Sequence, residues 1–86
     1  MDFTTVKFSF VDEATTTMEE RGISEEDVRQ VVAWAEGDGG KLIGEGYYLG
    51  KKRLDRFTVY AQYAIEEDSV SVSSAYSHRV TLREDK

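Results

Sequence analysis

Residues 20–32 of the chain, ERGISEEDVRQVV, decide its fold. Arg21 and Gly22 form a helix stop, because glycine adopts the left-handed conformation that closes a helix and a cation suits the negative end of the helix dipole. Ser24 starts another helix at once: its hydroxyl can accept from free first-turn amides, and Asp27 follows three residues later, as in a capping box. The stretch therefore predicts two helices joined by a very short turn.

Each predicted helix has a narrow apolar side. The first helix is expected to begin at Asp12, as its N-cap, and to end near Arg21, with Ala14 and Met18 as its apolar residues. In the second helix, apolar residues recur at the three-and-four spacing of one helical face, at Val28, Val31, Val32 and Ala35. Trp34 lies beside that face and is expected to cover the core, whereas an exposed position would mark a docking site.

Alternation of apolar and polar residues predicts the strands. Residues 6–10 form one strand before the helices, and residues 42–50 form a twisted strand after them, in which Gly44 and Gly46 are candidate positions for a bulge. Residues 56–65 are the clearest alternating stretch, and their odd-numbered members are expected to face the core. A last strand begins at Val70 and continues toward Leu82. The predicted turns are residues 50–55 and 66–68.

The predicted fold class is α+β, in the order β-α-α-β-β-β, with the helical hairpin packed on one face of an antiparallel sheet. By strict alternation, the uncovered face then holds Arg56, Thr58, Tyr60 and Gln62 from one strand and Ser71, Ser73, Ala75, Ser77 and Arg79 from the next. Tyr76 and His78 are predicted on the core side. The uncovered face is either an ordinary solvated surface or a shallow site for a peptide or nucleotide, with candidate binding residues Arg56, Tyr60, Gln62, Ser73 and Arg79.

Length and composition limit the class of protein to which the chain can belong. A chain of 86 residues is expected to form one domain, with residues 1–2 and 84–86 frayed. It has no cysteine, so disulfides and thiolate zinc sites are excluded and a cytoplasmic location is expected. No apolar run reaches the length of a membrane span, so no membrane association is expected. No ligand pair has a recognised metal spacing, and the predictions include no cofactor and no metal.

The formal charge of −6 is unevenly distributed. Residues 1–40 contain 10 acidic and 3 basic residues, whereas residues 41–86 contain 7 and 8. The net negative charge of the chain disfavours nucleic acid as a partner, but nucleic acid stays open as the second class of partner. The acidic helices are either solvated or meet a basic partner. The one dense basic cluster either neutralises phosphates or keeps a hairpin tip from aggregating: Lys51, Lys52, Arg53 and Arg56.

Three short segments carry a resemblance to a known family: residues 20–28 (ERGISEEDV), 56–60 (RFTVY) and 74–79 (SAYSHR). Together with the element order, they resemble the RelE/ParE/BrnT toxin superfamily and a neighbouring family of small bacterial domains of unknown function. The resemblance implies a helical hairpin on an antiparallel sheet. In the toxin members, groups on that sheet cleave messenger RNA. Arg56 matches their central-strand arginine, and His78 with Arg79 matches their histidine–arginine pair.

Two functions from different classes follow. The first is a non-catalytic interaction module, a monomer or weak homodimer, that binds a protein partner through its acidic helices, its open sheet face or an unpaired strand edge. The second is a RelE-type ribonuclease working through Arg56, Tyr76, His78 and Arg79, of which His78 is the readiest acid–base group at neutral pH. The acidic charge favours the interaction module. So do residues 80–82, VTL, which stand where a tyrosine commonly follows the histidine–arginine pair in the toxins.

Overall fold

The computed structural model describes residues 2–3, 5–54 and 57–79. The elements are β1 (Lys7–Phe10), α1 (Asp12–Arg21), α2 (Glu25–Glu36), β2 (Leu42–Ile43), β3 (Tyr48–Arg53), β4 (Phe57–Ile65) and β5 (Ser69–Arg79). The strands form one sheet in the order β1-β5-β4-β3-β2. The predicted α+β class, with helices packed on a sheet, is confirmed.

The short turn between the helices forms as predicted. Gly22 ends α1 with φ 70°, and its N–H donates to the carbonyl of Met18. Ser24 Oγ accepts from the Asp27 amide at 3.1 Å, and the Asp27 carboxylate accepts from the Ser24 amide at 3.0 Å. This capping box is confirmed. The prediction for Asp12 is wrong, because Val11 is the N-cap of α1, without a side-chain cap, and Asp12 lies in the first turn.

Two strand predictions are corrected by the structure. Residues 42–50 are not one strand: the Gly44 amide donates to the Tyr47 carbonyl at 2.8 Å, and this turn separates β2 from β3. β3 then continues through Arg53, past the start of the predicted turn. The sheet is also mixed rather than wholly antiparallel, because β1 pairs in parallel with β5, from Lys7 opposite Ser69 to Phe10 opposite Val72.

Both helices pack on one face of the sheet, α1 against β5 and α2 against β3 and β4. The predicted apolar residues of both helices are buried, and so are the odd-numbered residues at the centre of β4, Val59, Ala61 and Tyr63. Trp34 does not cover the core, since 41% of it is exposed. It stands on the rim between α2 and β3 instead, beside Lys52.

Gly50 in β3 is a point of close approach between α2 and the sheet. A Cβ atom added there would lie 2.8 Å from Ala35 Cβ and 3.4 Å from Val31 Cγ1 and a Tyr63 ring carbon. We expect Gly50→Ala to lower the free energy of unfolding by about 1–3 kcal/mol through overpacking. A double-mutant cycle in urea with Ala35→Gly should recover part of this loss, because the second change removes the clashing methyl group. Independent, additive effects would contradict the predicted contact.

Candidate binding face of the sheet

A β-bulge in β5 decides which side chains occupy the uncovered face. Val72 pairs with Tyr63 and Ser74 pairs with Gln62, so Ser73 is an extra residue without a partner in β4. Its hydroxyl donates instead to the Gln62 carbonyl at 3.3 Å. Since side chains alternate across a strand, one extra residue reverses the faces of everything that follows.

The predicted face assignment is therefore wrong for residues 75–78. Ala75 pairs with Ala61 and is fully buried in the core, and Ser77 pairs with Val59, another core residue. Tyr76 and His78, predicted on the core side, lie on the uncovered face instead. The bulge thus brings aromatic groups to a surface that strict alternation would have lined with small side chains.

The resulting open face, defined as the sheet face away from the helices, is centred on an aromatic trio of Tyr60, Tyr76 and His78. The two tyrosines are cross-strand partners, and their rings stack in parallel, with centroids 4.9 Å apart and planes 4° apart. The His78 ring meets Tyr60 edge-on at 5.3 Å and lies 6.3 Å from Tyr76. Pairs of this kind favour one another through dispersion and ring quadrupoles.

Two basic residues of β3 extend the same face. Lys51 is the cross-strand partner of Tyr60, so one row across the sheet reads Lys51, Tyr60, Tyr76. Arg53 is the partner of Thr58, which in turn pairs with His78. The sequence interpretation missed both as face residues, because it placed them in a turn. The run of three cations after an apolar strand was the available signal.

The other predicted binding residues have mixed outcomes. Tyr60 and Gln62 lie on the open face as predicted, and Ser73 lies beside Gln62 in the bulge. Arg56 falls outside the described residues. Arg79 ends β5, where its backbone pairs with Phe57.

Charge is segregated between the two layers. Each helix contains four acidic residues and one basic residue. The five strands contain no acidic residue at all, and their charged members are Lys7, Lys51, Lys52, Arg53 and Arg79. The helix layer is therefore negative and the sheet positive, a polarity that the net charge of −6 conceals.

A second polar cluster, which the sequence did not reveal, joins the end of α2 to the sheet on the helix side. Glu36 accepts hydrogen bonds from the Tyr63 hydroxyl at 2.6 Å and from Lys41 Nζ at 2.8 Å. Burial raises the pKa of Glu36, but these two hydrogen bonds and the Lys41 charge outweigh it, so that pKa lies below its ordinary value. Burial and the neighbouring Glu36 carboxylate raise the pKa of Tyr63 well above its ordinary value.

This cluster predicts stability loss at both ends of the pH scale. The lowered pKa of Glu36 stabilises the fold above its ordinary value of 4.5, and this contribution is lost as the pH falls through the folded value. The raised pKa of Tyr63 stabilises the fold below its ordinary value of 10.0, and this contribution is lost as the pH rises above it. The free energy of unfolding is measured by urea denaturation at a series of pH values. Its decrease toward acidic pH should be smaller in Glu36→Gln, and its decrease toward alkaline pH should be smaller in Tyr63→Phe. An unchanged pH dependence in these variants would contradict the assignment.

No group of three or more metal-ligating side chains occurs in the described parts of the chain. Neither α1 nor α2 has the length and apolarity needed to cross a lipid bilayer. Comparison of the chain with known protein families, curated proteins and solved structures finds no significant match. The resemblance to the RelE/ParE/BrnT superfamily therefore stays a prediction.

Proposed function

We propose that this chain is a small non-catalytic interaction module that binds a protein partner through the open face of its sheet. The observation that carries the proposal is the Tyr60–Tyr76 stack, which no described element covers and which lies in one row with Lys51. Tyrosine and arginine are enriched among the hot-spot residues that contribute most of the binding free energy at protein interfaces. A rigid aromatic pair also loses little conformational entropy when a partner binds.

Two features favour a protein over nucleic acid. The net charge of −6 repels an extended polyanion at long range, although the sheet side is positive. Each tyrosine ring also covers one face of the other ring, so less ring surface is available for a base to stack on. A protein partner that brings only a few charges close to the basic strand meets less of this repulsion than a polyanion does, and it does not need a free ring face for base stacking.

The test is a pull-down from an extract of the source cells, with the intact chain as bait and the bound proteins quantified by mass spectrometry. We expect Tyr76→Ser to reduce the captured partner about tenfold or more, as for a central interface tyrosine. Tyr47→Ser is the matched control, since Tyr47 is 39% exposed but lies in the β2–β3 turn. Equal capture by all three baits would contradict the proposed face, and tight, salt-sensitive binding of RNA would contradict the protein partner.

One observation favours a second candidate, the RelE-type ribonuclease. The bulge brings His78 beside Tyr60 and Tyr76 on an exposed face, in the same cross-strand row as Arg53. Cleavage of RNA through its 2′-hydroxyl needs an acid–base group and cations near the phosphate, and this face offers both kinds of group.

Expression in bacteria separates the two functions. The interaction module predicts normal growth at high expression, with the His78→Ala variant indistinguishable from the parent chain. Growth arrest that His78→Ala relieves, with Lys7→Ala on the far edge strand still causing arrest, would establish the nuclease and refute the preferred function.

A further inference from the structure

The sheet has an open edge beside its most basic strand. β2 pairs with β3 only at Leu49 and Tyr48, so within the described residues no strand lies beside residues 50–53 on that side. The Leu54 amide donates to the Phe57 carbonyl at 2.8 Å, which starts the hydrogen-bonded alternation of the β3–β4 ladder. By that alternation, Gly50 and Lys52 bond to β4, whereas Lys51 and Arg53 direct their backbone N–H and C=O groups outward.

Three cations surround this edge. Side chains of Lys51 and Arg53 belong to the open face, and Lys52 belongs to the helix face, where its Nζ lies 5.4 Å from the centroid of the Trp34 ring. We call these three residues the basic edge. Its opposite on the sheet, the outer edge strand β1, carries a single cation, Lys7.

The surface beside the basic edge is concave. A shallow depression of about 500 Å³ runs along the three cations and is bounded by Trp34, Thr58 and Tyr60. A second depression of about 370 Å³ adjoins it on the β2 side and shares Lys51 and Tyr60 with the first. The second depression is otherwise lined by residues 39–42 and Leu49, which bound the basic edge on its β2 side.

We infer that the basic edge receives an extended acidic segment of the partner, which pairs with β3 as a further strand. This inference rests on the proposed function. Outward N–H and C=O groups are a template for strand addition, in which the backbone supplies affinity and alternate side chains supply specificity. Partner side chains opposite Lys51 and Arg53 fall on the open face, where carboxylates complete ion pairs. The side chain between them falls beside Lys52 and Trp34 and is apolar.

A labelled peptide of alternating glutamate and valine, seven residues long, is the probe. We expect it to bind the intact protein and to slow amide hydrogen exchange at Lys51 and Arg53, while Gly50 and Lys52, already bonded to β4, change little. The same peptide with every backbone nitrogen methylated keeps its charges but has no N–H donor, and it should not bind. A peptide of alternating lysine and valine should not bind either.

Charge reversal locates the site. Lys51→Glu should weaken binding of the glutamate–valine peptide about tenfold or more, since like charges then face each other. Lys7→Glu, the same change on the opposite edge strand, should leave the affinity unchanged. Equal effects of the two variants, equal binding of the methylated peptide, or no protection of Lys51 and Arg53 would each overturn strand addition.

These outcomes are separable from those for the proposed function. If Tyr76→Ser abolishes capture of the cellular partner while no acidic peptide protects the edge amides, strand addition is wrong and the interaction module stands. If size measurements show that the peptide competes with self-association, the edge is occupied by a second copy of the chain, and an acidic partner segment is overturned.

Discussion

Replacing Tyr63 with alanine is expected to lower the free energy of unfolding by about 3–5 kcal/mol, the range for truncating a large buried aromatic side chain. Tyr63 is fully buried, and its ring lies 5.7 Å from that of Tyr48. Its hydroxyl is also the closest hydrogen-bond partner of Glu36, so the truncation removes a polar contact together with the packing. A small domain has about 5–15 kcal/mol in total, so this loss is a large fraction of its stability.

Two further variants separate packing from hydrogen bonding. Tyr63→Phe keeps the ring and should cost only about 1–3 kcal/mol, because Glu36 retains Lys41 as a partner. Tyr47→Ala removes a tyrosine ring from an exposed turn and should cost less than either variant. Urea denaturation followed by circular dichroism measures all three. A loss for Tyr63→Ala no larger than that for Tyr47→Ala would show that Tyr63 does not anchor the core.

The second large effect concerns two deletions in β5 that differ by only two positions. Deleting Ser73 removes the unpaired bulge residue, so Val72 opposite Tyr63 and Ser74 opposite Gln62 become consecutive in a regular ladder. We expect this variant to fold and to keep the Tyr60–Tyr76 stack. Deleting Ser71 instead forces Val70 or Val72 out of the core, and if Ser73 replaces Val72 its hydroxyl is buried. The expected loss is about 3 kcal/mol or more.

Urea unfolding and NMR contacts between the rings of Tyr60 and Tyr76 test both deletions. Since each removes one serine from the same strand, each serves as the composition-matched control for the other. Similar losses of stability for the two variants would contradict the register. Disappearance of the ring contacts in the Ser73 deletion would show that the bulge itself, and not only the alternation it resets, holds the aromatic trio.

The bulge also explains why the candidate face was only partly predictable. Val70 and Val72 define a core side by themselves, and strict alternation carried that side forward to Tyr76 and His78. Residues 73–78, SSAYSH, contain small or amphipathic side chains that tolerate either face, so nothing in them signals a change of parity. Pairing with β4 decides where the extra residue is accommodated, immediately beyond the point where β1 ends opposite Val72.

Pairings between distant segments were unpredictable for the same kind of reason. β1 lies at one edge of the sheet, and its parallel pairing with β5 joins residues about sixty positions apart, so no local pattern reports such a partner. The Glu36–Lys41–Tyr63 cluster likewise needs α2 and β4 to be packed before its members meet. In the sequence alone, Glu36 and Lys41 look like an ordinary pair of solvent-exposed charged residues.

The sequence by itself determined the elements whose causes lie within about four residues: the glycine stop at Gly22, the Ser24–Asp27 capping box, the apolar stripe of α2 and the alternation in β4. These depend on neighbouring backbone geometry and survive any tertiary context that buries one side. Only the tertiary structure decided the β5 bulge, the emergence of Tyr76 and His78 on the open face, and the edge at Lys51 and Arg53, beside which no described strand lies. Those features depend on which strand lies beside which, and interstrand hydrogen bonds join residues that are remote in the chain.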